Sequence, residues 1–215
     1  GPTAMNSSSQ DMDLPALGAT GAYTLLVEGK VGAGGTATYG INMRLTAPAN
    51  EVLPTPTVTW VGTSVGDWNT AANWSSGAVP TATDNAYISL PADQNVTISS
   101  GTVNVSSLVI DCNLTISSGA SLILNGTSRI NGNLTLAGGT LGGAGSVTID
   151  GAFDVTSYSN VAGSGTLTTR GTTTVGMANA GGGYLGFSGG KTWVNEGTLT
   201  VGGDNFIYFG LSSGG

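Results

Sequence analysis

The chain has 215 residues, of which 37 are glycine and only 8% are charged, and its five basic against twelve acidic side chains leave a net charge of −7. Five basic residues scattered along the chain make no phosphate-neutralising footprint, which sets nucleic acid aside as a partner. No apolar run approaches the roughly 18 residues a membrane-spanning helix needs, and 39% hydrophobic content in short alternating runs excludes disorder and points to a turn-rich all-β fold.

Residues 1–13 begin "GPTAM", which reads as a protease-cleavage and cloning remnant followed by a mobile tail, so the chain is expected to be a fragment of a longer protein. The tail carries "DMD" at Asp11 to Asp13, the sequence's one Asp-x-Asp. Calcium is the more credible ion, since acidic extracellular β proteins bind it through carboxylate and carbonyl oxygens, yet this Asp-x-Asp falls in the tail. The glycine-rich nonapeptide GGxGxDxUx does not occur. Residues 14–45 hold two alternating runs, "GAYTLLVEG" and "GGTATYGINMRL", separated by a glycine-rich loop, which is a β-hairpin pattern. They resemble the last two strands of the bacterial pre-peptidase C-terminal-type β-sandwich, and the resemblance implies a partial sandwich whose earlier strands are missing. Residues 46–58, with Pro48, Pro54 and Pro56, read as an extended linker.

Residues 59–92 are rich in tryptophan. From Thr59 to Ile98 the pattern is W…GDWNxxxNWSxGxVPxxxDxAxI and then V-x-I, with Trp68, Asn69, Asn73, Trp74, Gly77, Val79, Pro80, Asp84 and Ile88 in that order. This resembles the amino-terminal lead-in of β-helical regions in very large bacterial surface proteins and autotransporter-like adhesins. The resemblance implies an extracellular, cell-surface setting and no particular activity. Physically, the first coil of a solenoid exposes apolar side chains and unpaired strand edges, and Trp60, Trp68 and Trp74 are large enough to close it. A competing reading makes Trp68 and Trp74 a platform for a glycan, with Asp67, Asn69, Asn73 and Asp84 as polar neighbours. Such residues more often close turns through side-chain to backbone hydrogen bonds.

From residue 93 to residue 215 one pattern repeats. "DQNVTI", "DCNLTI", "NGNLTL", "DGAFDV", "RGTTTV" and "EGTLTV" begin at Asp93, Asp111, Asn131, Asp150, Arg170 and Glu196, at intervals of 18, 20, 19, 20 and 26 residues. Each of the first three intervals contains three strand-like runs, for example "NVTI", "TVNV" and "SLVI". Three short strands per roughly 20 residues is what one coil of a three-sided parallel β-helix needs. Val96, Leu114, Leu134 and Phe153 then form one inward stack, and Ile98, Ile116, Leu136 and Val155 the next. Thr173 stands where that register calls for an apolar residue. An isolated Asp-Gly at Asp150 would mark a hairpin turn; as the fourth of six equivalent corners it marks a bend between adjacent sides of one coil. A β-sandwich shares the strand spacing but not these long-range coincidences. Right-handed winding is expected from the likeness to adhesin solenoids.

Beyond Met177 the spacing loosens and Tyr184, Phe187 and Trp193 appear. Insertions in a solenoid loop out over one face, where binding surfaces are built, whereas the plainer reading has these aromatics filling a wider interior. Tyr184 and Trp193 join Trp68 and Trp74 as candidate ligand contacts. The chain closes on "FIYFGLSSGG" without a polar cap, which leads to the expectation that further coils follow or that another chain makes end-to-end or edge contacts there.

The chemistry on offer is sparse. The absence of His removes the usual Ser–His activation and the commonest metal ligand, and with one Cys a zinc site has no ligand set. Cys112 falls where Gly132, Gly151, Gly171 and Gly197 stand in later copies, and so reads as a small corner residue. Polysaccharide cleavage could still use carboxylates: Asp111, Asp150 and Asp154, with Arg170 and Lys191 as charge stabilisers. The register places Asp111 and Asp150 two coils apart, about 10 Å, beyond a retaining pair and at the edge of an inverting one. Asp93, Asp111, Asn131, Asp150, Arg170 and Glu196 therefore read as a polar corner column, with Asp150 paired to Arg170. A threonine ladder of the kind an ice-binding face needs is suggested only by "TLTTRGTTTVG" at 166–176. The expectation is a non-enzymatic structural and adhesive module of a large bacterial surface protein, without cofactor, whose partner is a surface ligand such as a glycan. A carbohydrate-binding module is the alternative, and a β-helical polysaccharide lyase or hydrolase the third reading.

Overall fold

The computed structural model describes residues 52–63, 65–178 and 182–210, which lie in one compact unit, Pro48–Gly215. The expected tail at 1–13, the hairpin at 14–45 and the linker up to residue 51 lie outside the described residues.

Alternation builds the strands. In Asn95–Ile98 the buried residues are Val96 and Ile98, and in Asn113–Ser117 they are Leu114 and Ile116, with half-exposed polar residues between them. A strand with one apolar face can be buried from one side only. Short corners then fold each strand over the equivalent one in the previous coil. The result is an all-β, three-sided parallel β-solenoid.

The first sheet holds Val58–Thr59, Asn85–Ile88, Ser107–Ile110, Ser128–Ile130, Val147–Ile149, Thr166–Thr169 and Thr192–Asn195. The second holds Gly66–Asp67, Asn95–Ile98, Asn113–Ser117, Leu134–Ala137, Phe153–Ser157, Thr173–Val175 and Leu199–Val201. The third holds Thr102–Val105, Ser121–Leu124, Thr140–Gly142, Ser159–Val161, Tyr184–Phe187 and Phe206–Phe209. Neighbours within each sheet are parallel and one coil apart, which gives about six turns among the described residues. A three-residue 3₁₀ turn at Ala71–Asn73 is the only helical element among them.

The inward columns follow the sequence register. Val96 lies beside Leu114, Leu114 beside Leu134, Leu134 beside Phe153, and Phe153 beside Thr173. Ile98, Ile116, Leu136, Val155 and Val175 form the parallel column. These side chains are buried, and one continuous apolar core runs from Val58 to Phe187. The ladder begins before residue 93: Asn85–Ile88 pairs with Ser107–Ile110, and Gly66–Asp67 with Asn95–Ile98. The end of the linker belongs to it too, since the Thr57 N–H donates to the Asn85 carbonyl at 2.9 Å. The extra residues of the widened coil lie between Val175 of the second sheet and Tyr184 of the third.

The corner from the first sheet to the second explains the glycines of the repeat. A Cβ at Gly132 would run into the carbonyl oxygen of Cys112, one at Gly151 into that of Gly132, one at Gly171 into that of Gly151, and one at Gly197 into that of Gly171. Each corner is stacked too closely on the one below for any side chain. Cys112 opens this column above the longer turn 89–94 and buries its side chain completely.

Candidate functional site

The polar column occupies that same corner and holds two hydrogen-bonded groups, Tyr87–Asp111–Asn131 and Arg129–Asp150–Arg170–Glu196. Tyr87 Oη donates to Asp111 Oδ2 at 2.8 Å, and Asn131 Nδ2 donates to Asp111 Oδ1 at 2.7 Å. One coil further, Asp150 is held between two guanidinium groups, Arg129 Nε on Oδ2 at 2.6 Å and Arg170 Nη1 on Oδ1 at 3.0 Å. Arg170 Nε continues to Glu196 Oε2 at 3.1 Å. These two carboxylates hold Arg170's proton even more firmly than usual, against the opposing effect of burial. The column thus brings Asp111, Asn131, Asp150, Arg170 and Glu196 together. Asp93 sits in the longer turn between Ile88 and Asn95 and is exposed; it aligns with Asp111 only when counted back from Asn95. Arg129, which reaches the column from the first sheet, was not legible in the repeat because it precedes the corner by two residues. Asp154 lies on the outer face of the second sheet, between Thr135 and Thr174.

That outer face carries more threonine than the "TLTTRGTTTVG" stretch suggested. Thr97, Thr115, Thr135, Asp154, Thr174 and Thr200 are register partners on successive strands. The column is one residue wide, since Asn95 pairs with Asn113 on one side of it and Ser117 with Ala137 on the other.

The tryptophans close the amino-terminal end. Trp68 and Trp74 are 0% and 2% exposed and Trp60 is 8% exposed. Trp74 packs edge-on against Trp60 at 5.1 Å and against Trp68 at 4.6 Å, and its indole N–H donates to the Trp68 carbonyl at 2.8 Å. Rings buried against one another offer no face on which a sugar can stack in this conformation. The polar neighbours are taken up in turns: the Asp67 carboxylate accepts the Asn69 N–H at 2.7 Å, and Asn69 Nδ2 donates to the Ser100 carbonyl at 3.0 Å. Asp84 accepts the N–H and hydroxyl of Thr81, both at 2.7 Å. The Thr81 N–H, then its hydroxyl, hold the Asp84 carboxyl below its ordinary range.

The aromatics of the last coils divide by register. Phe187 is buried in the interior and stacks on the partly buried Trp193 at 5.1 Å and on Phe209, which is 65% exposed, at 4.9 Å. Tyr184 lies on the outer side, edge-on to Tyr158 at 5.2 Å and to Tyr208 at 5.6 Å. Tyr158 and Tyr208 extend this outer cluster and are about half exposed; the irregular spacing of the last coils hides them in the sequence. Lys191 turns inward at the corner between the third and first sheets, where Gly165 and Gly145 precede it, and its ammonium donates to the Gly143 carbonyl at 2.8 Å. Burial lowers its affinity for the proton. A shallow hollow beside it is lined by Phe187, Ser188, Gly190, Lys191, Phe209 and Gly210.

Burial pushes the Cys112 thiol up to about 11, which keeps it protonated and unreactive at neutral pH. Among the described residues no three His, Cys, Asp or Glu side chains gather as metal ligands, and the Asp11 to Asp13 motif lies outside them. No described helix is long and apolar enough to cross a membrane. Comparison of the chain with protein-family models, with curated proteins and with solved structures returns no match.

Proposed function

We propose that the chain is a structural, adhesin-like module of a large bacterial surface or secreted protein, in which the solenoid acts as a stiff stalk and catalyses no reaction. The observation that carries this reading is the coil-on-coil pairing of three parallel sheets around one continuous core. Each coil adds about 4.8 Å of length and is fixed to its neighbours by backbone ladders on every side. The corner carboxylates support it, because both oxygens of Asp111 and of Asp150 are engaged in tying one coil to the next. A carboxylate already bonded to two guanidinium groups is poorly placed as a general acid or base.

The test is turnover of neutral and acidic polysaccharides, read as new reducing ends or as unsaturated uronate absorbance. The stalk reading expects none, and turnover abolished by Asp150→Asn would replace it with an enzyme. A second reading, carbohydrate binding, is favoured by the outer Tyr158, Tyr184 and Tyr208 cluster. Glycan-array binding lost in Tyr184→Ala and Tyr208→Ala, with melting temperature unchanged, would establish that function alongside the stalk.

A further inference from the structure

The sequence holds two Asn-Gly pairs, Asn125–Gly126 and Asn131–Gly132, each at a corner of the solenoid with its asparagine exposed. Asparagine before glycine is the pair most prone to cyclise, because a following residue without Cβ lets its nitrogen swing onto the side-chain amide carbon. The two sites are alike in most respects. Both glycines are packed on the coil below, where a Cβ at Gly126 would meet the Ser106 carbonyl oxygen and one at Gly132 that of Cys112. Both side-chain amides are held by a neighbour, Asn125 Nδ2 donating to Asn104 Oδ1 at 3.0 Å and Asn131 Nδ2 to Asp111 Oδ1 at 2.7 Å. The glycine nitrogens differ. The Gly126 N–H donates to the Ser106 carbonyl, whereas the Gly132 N–H has no hydrogen-bond partner among the described residues. Cyclisation requires that nitrogen to give up its proton and leave any acceptor, so a backbone bond opposes it at Gly126 and none does at Gly132.

We propose that Asn131 is a site of spontaneous deamidation, which replaces its hydrogen bond to Asp111 with a contact between like charges. The Gly132 nitrogen loses its proton to solvent base and bonds to Asn131 Cγ. The Cγ–Nδ2 bond breaks, and the amide nitrogen leaves as ammonia with a proton taken from water. Water then opens the cyclic imide at either carbonyl, giving aspartate or isoaspartate. The net reaction consumes one water and releases one ammonia, with nothing oxidised or reduced. The donor that tied this corner to Asp111 is gone, and a second carboxylate stands in its place. Like charges facing each other across adjacent strands are destabilising, so the corner between Ser128–Ile130 and Leu134–Ala137 loosens irreversibly.

The full chain is incubated at mildly alkaline pH, folded and in urea, and peptide mapping by mass spectrometry follows both asparagines through the mass gain of an amide turned to an acid. The folded rate divided by the unfolded rate should be at least about fivefold larger at Asn131 than at Asn125, the factor that one retained hydrogen bond supplies. Conversion of Asn131 in the folded chain should accelerate as pH rises. Asn131→Asp, which installs the product, should lower the urea midpoint, with part of the loss recovered at high salt. Equal quotients at the two sites, or no conversion of Asn131 in the folded chain, overturn the assignment. An Asn131→Asp chain as stable as the wild type overturns the loosening.

Discussion

At the scale of single residues, the inward column of the second sheet contains one polar side chain that the fold does not satisfy. Thr173 is buried between Phe153 and Leu199, and its hydroxyl has no hydrogen-bond partner. A buried unsatisfied hydroxyl costs about 1 kcal/mol or more, and valine has nearly the same shape. Thr173→Val should therefore stabilise the chain by about 1 kcal/mol in denaturant unfolding; a destabilised variant would mean that the hydroxyl is bonded after all. Lys191 is the second case. Burial holds its ammonium below the 10.5 of a free lysine. Between that lowered value and 10.5 the unfolded chain binds more protons than the native one, so stability rises with pH across the window. Urea midpoints of the wild type should increase toward pH 10.5 by more than those of Lys191→Met, and parallel curves would remove Lys191 as the cause.

At the scale of elements, the corners fix the architecture as firmly as the strands do. The polar-then-glycine signature was legible because its cause is local and repeated: carbonyl oxygens one coil below leave no room for a Cβ. Gly171→Ala places a methyl group against the Gly151 backbone and should cost about 1–3 kcal/mol. Hydrogen exchange should show the loss concentrated in the strands beside that corner, Thr166–Thr169 and Thr173–Val175, and uniform loss across all coils would argue against a local clash. The apolar columns were legible for the same reason, since side-chain period two and a near-constant coil length identify which residues must meet. The salt-bridge partner Arg129 was not. Its side chain crosses from one sheet to the corner of the next coil, a relation fixed by side-chain length rather than by spacing. The outer tyrosine cluster was only partly legible, because the lengthened coil between Val175 and Tyr184 breaks the interval that would have aligned Tyr158, Tyr184 and Tyr208.

At the scale of the whole molecule, the tryptophan motif predicted a closed end, and the rings are indeed buried there. The same burial removes Trp68 and Trp74 as exposed sugar platforms, and any glycan reading moves to the tyrosines. Ligand identity was not legible from either level, because surface recognition depends on a few exposed side chains that the repeat leaves free to vary. The proposed function depends instead on rigidity, which the whole ladder produces together. Spin labels placed on the outer threonine column, at Thr97→Cys and Thr200→Cys in a Cys112→Ala background, measure it directly. Five coil steps of about 4.8 Å separate these positions, about 24 Å along the stack. With labelled chain diluted in unlabelled chain, so that only distances within one molecule are read, a stiff stalk gives a single narrow distance distribution consistent with that separation. A broad or multiple distribution would contradict the account.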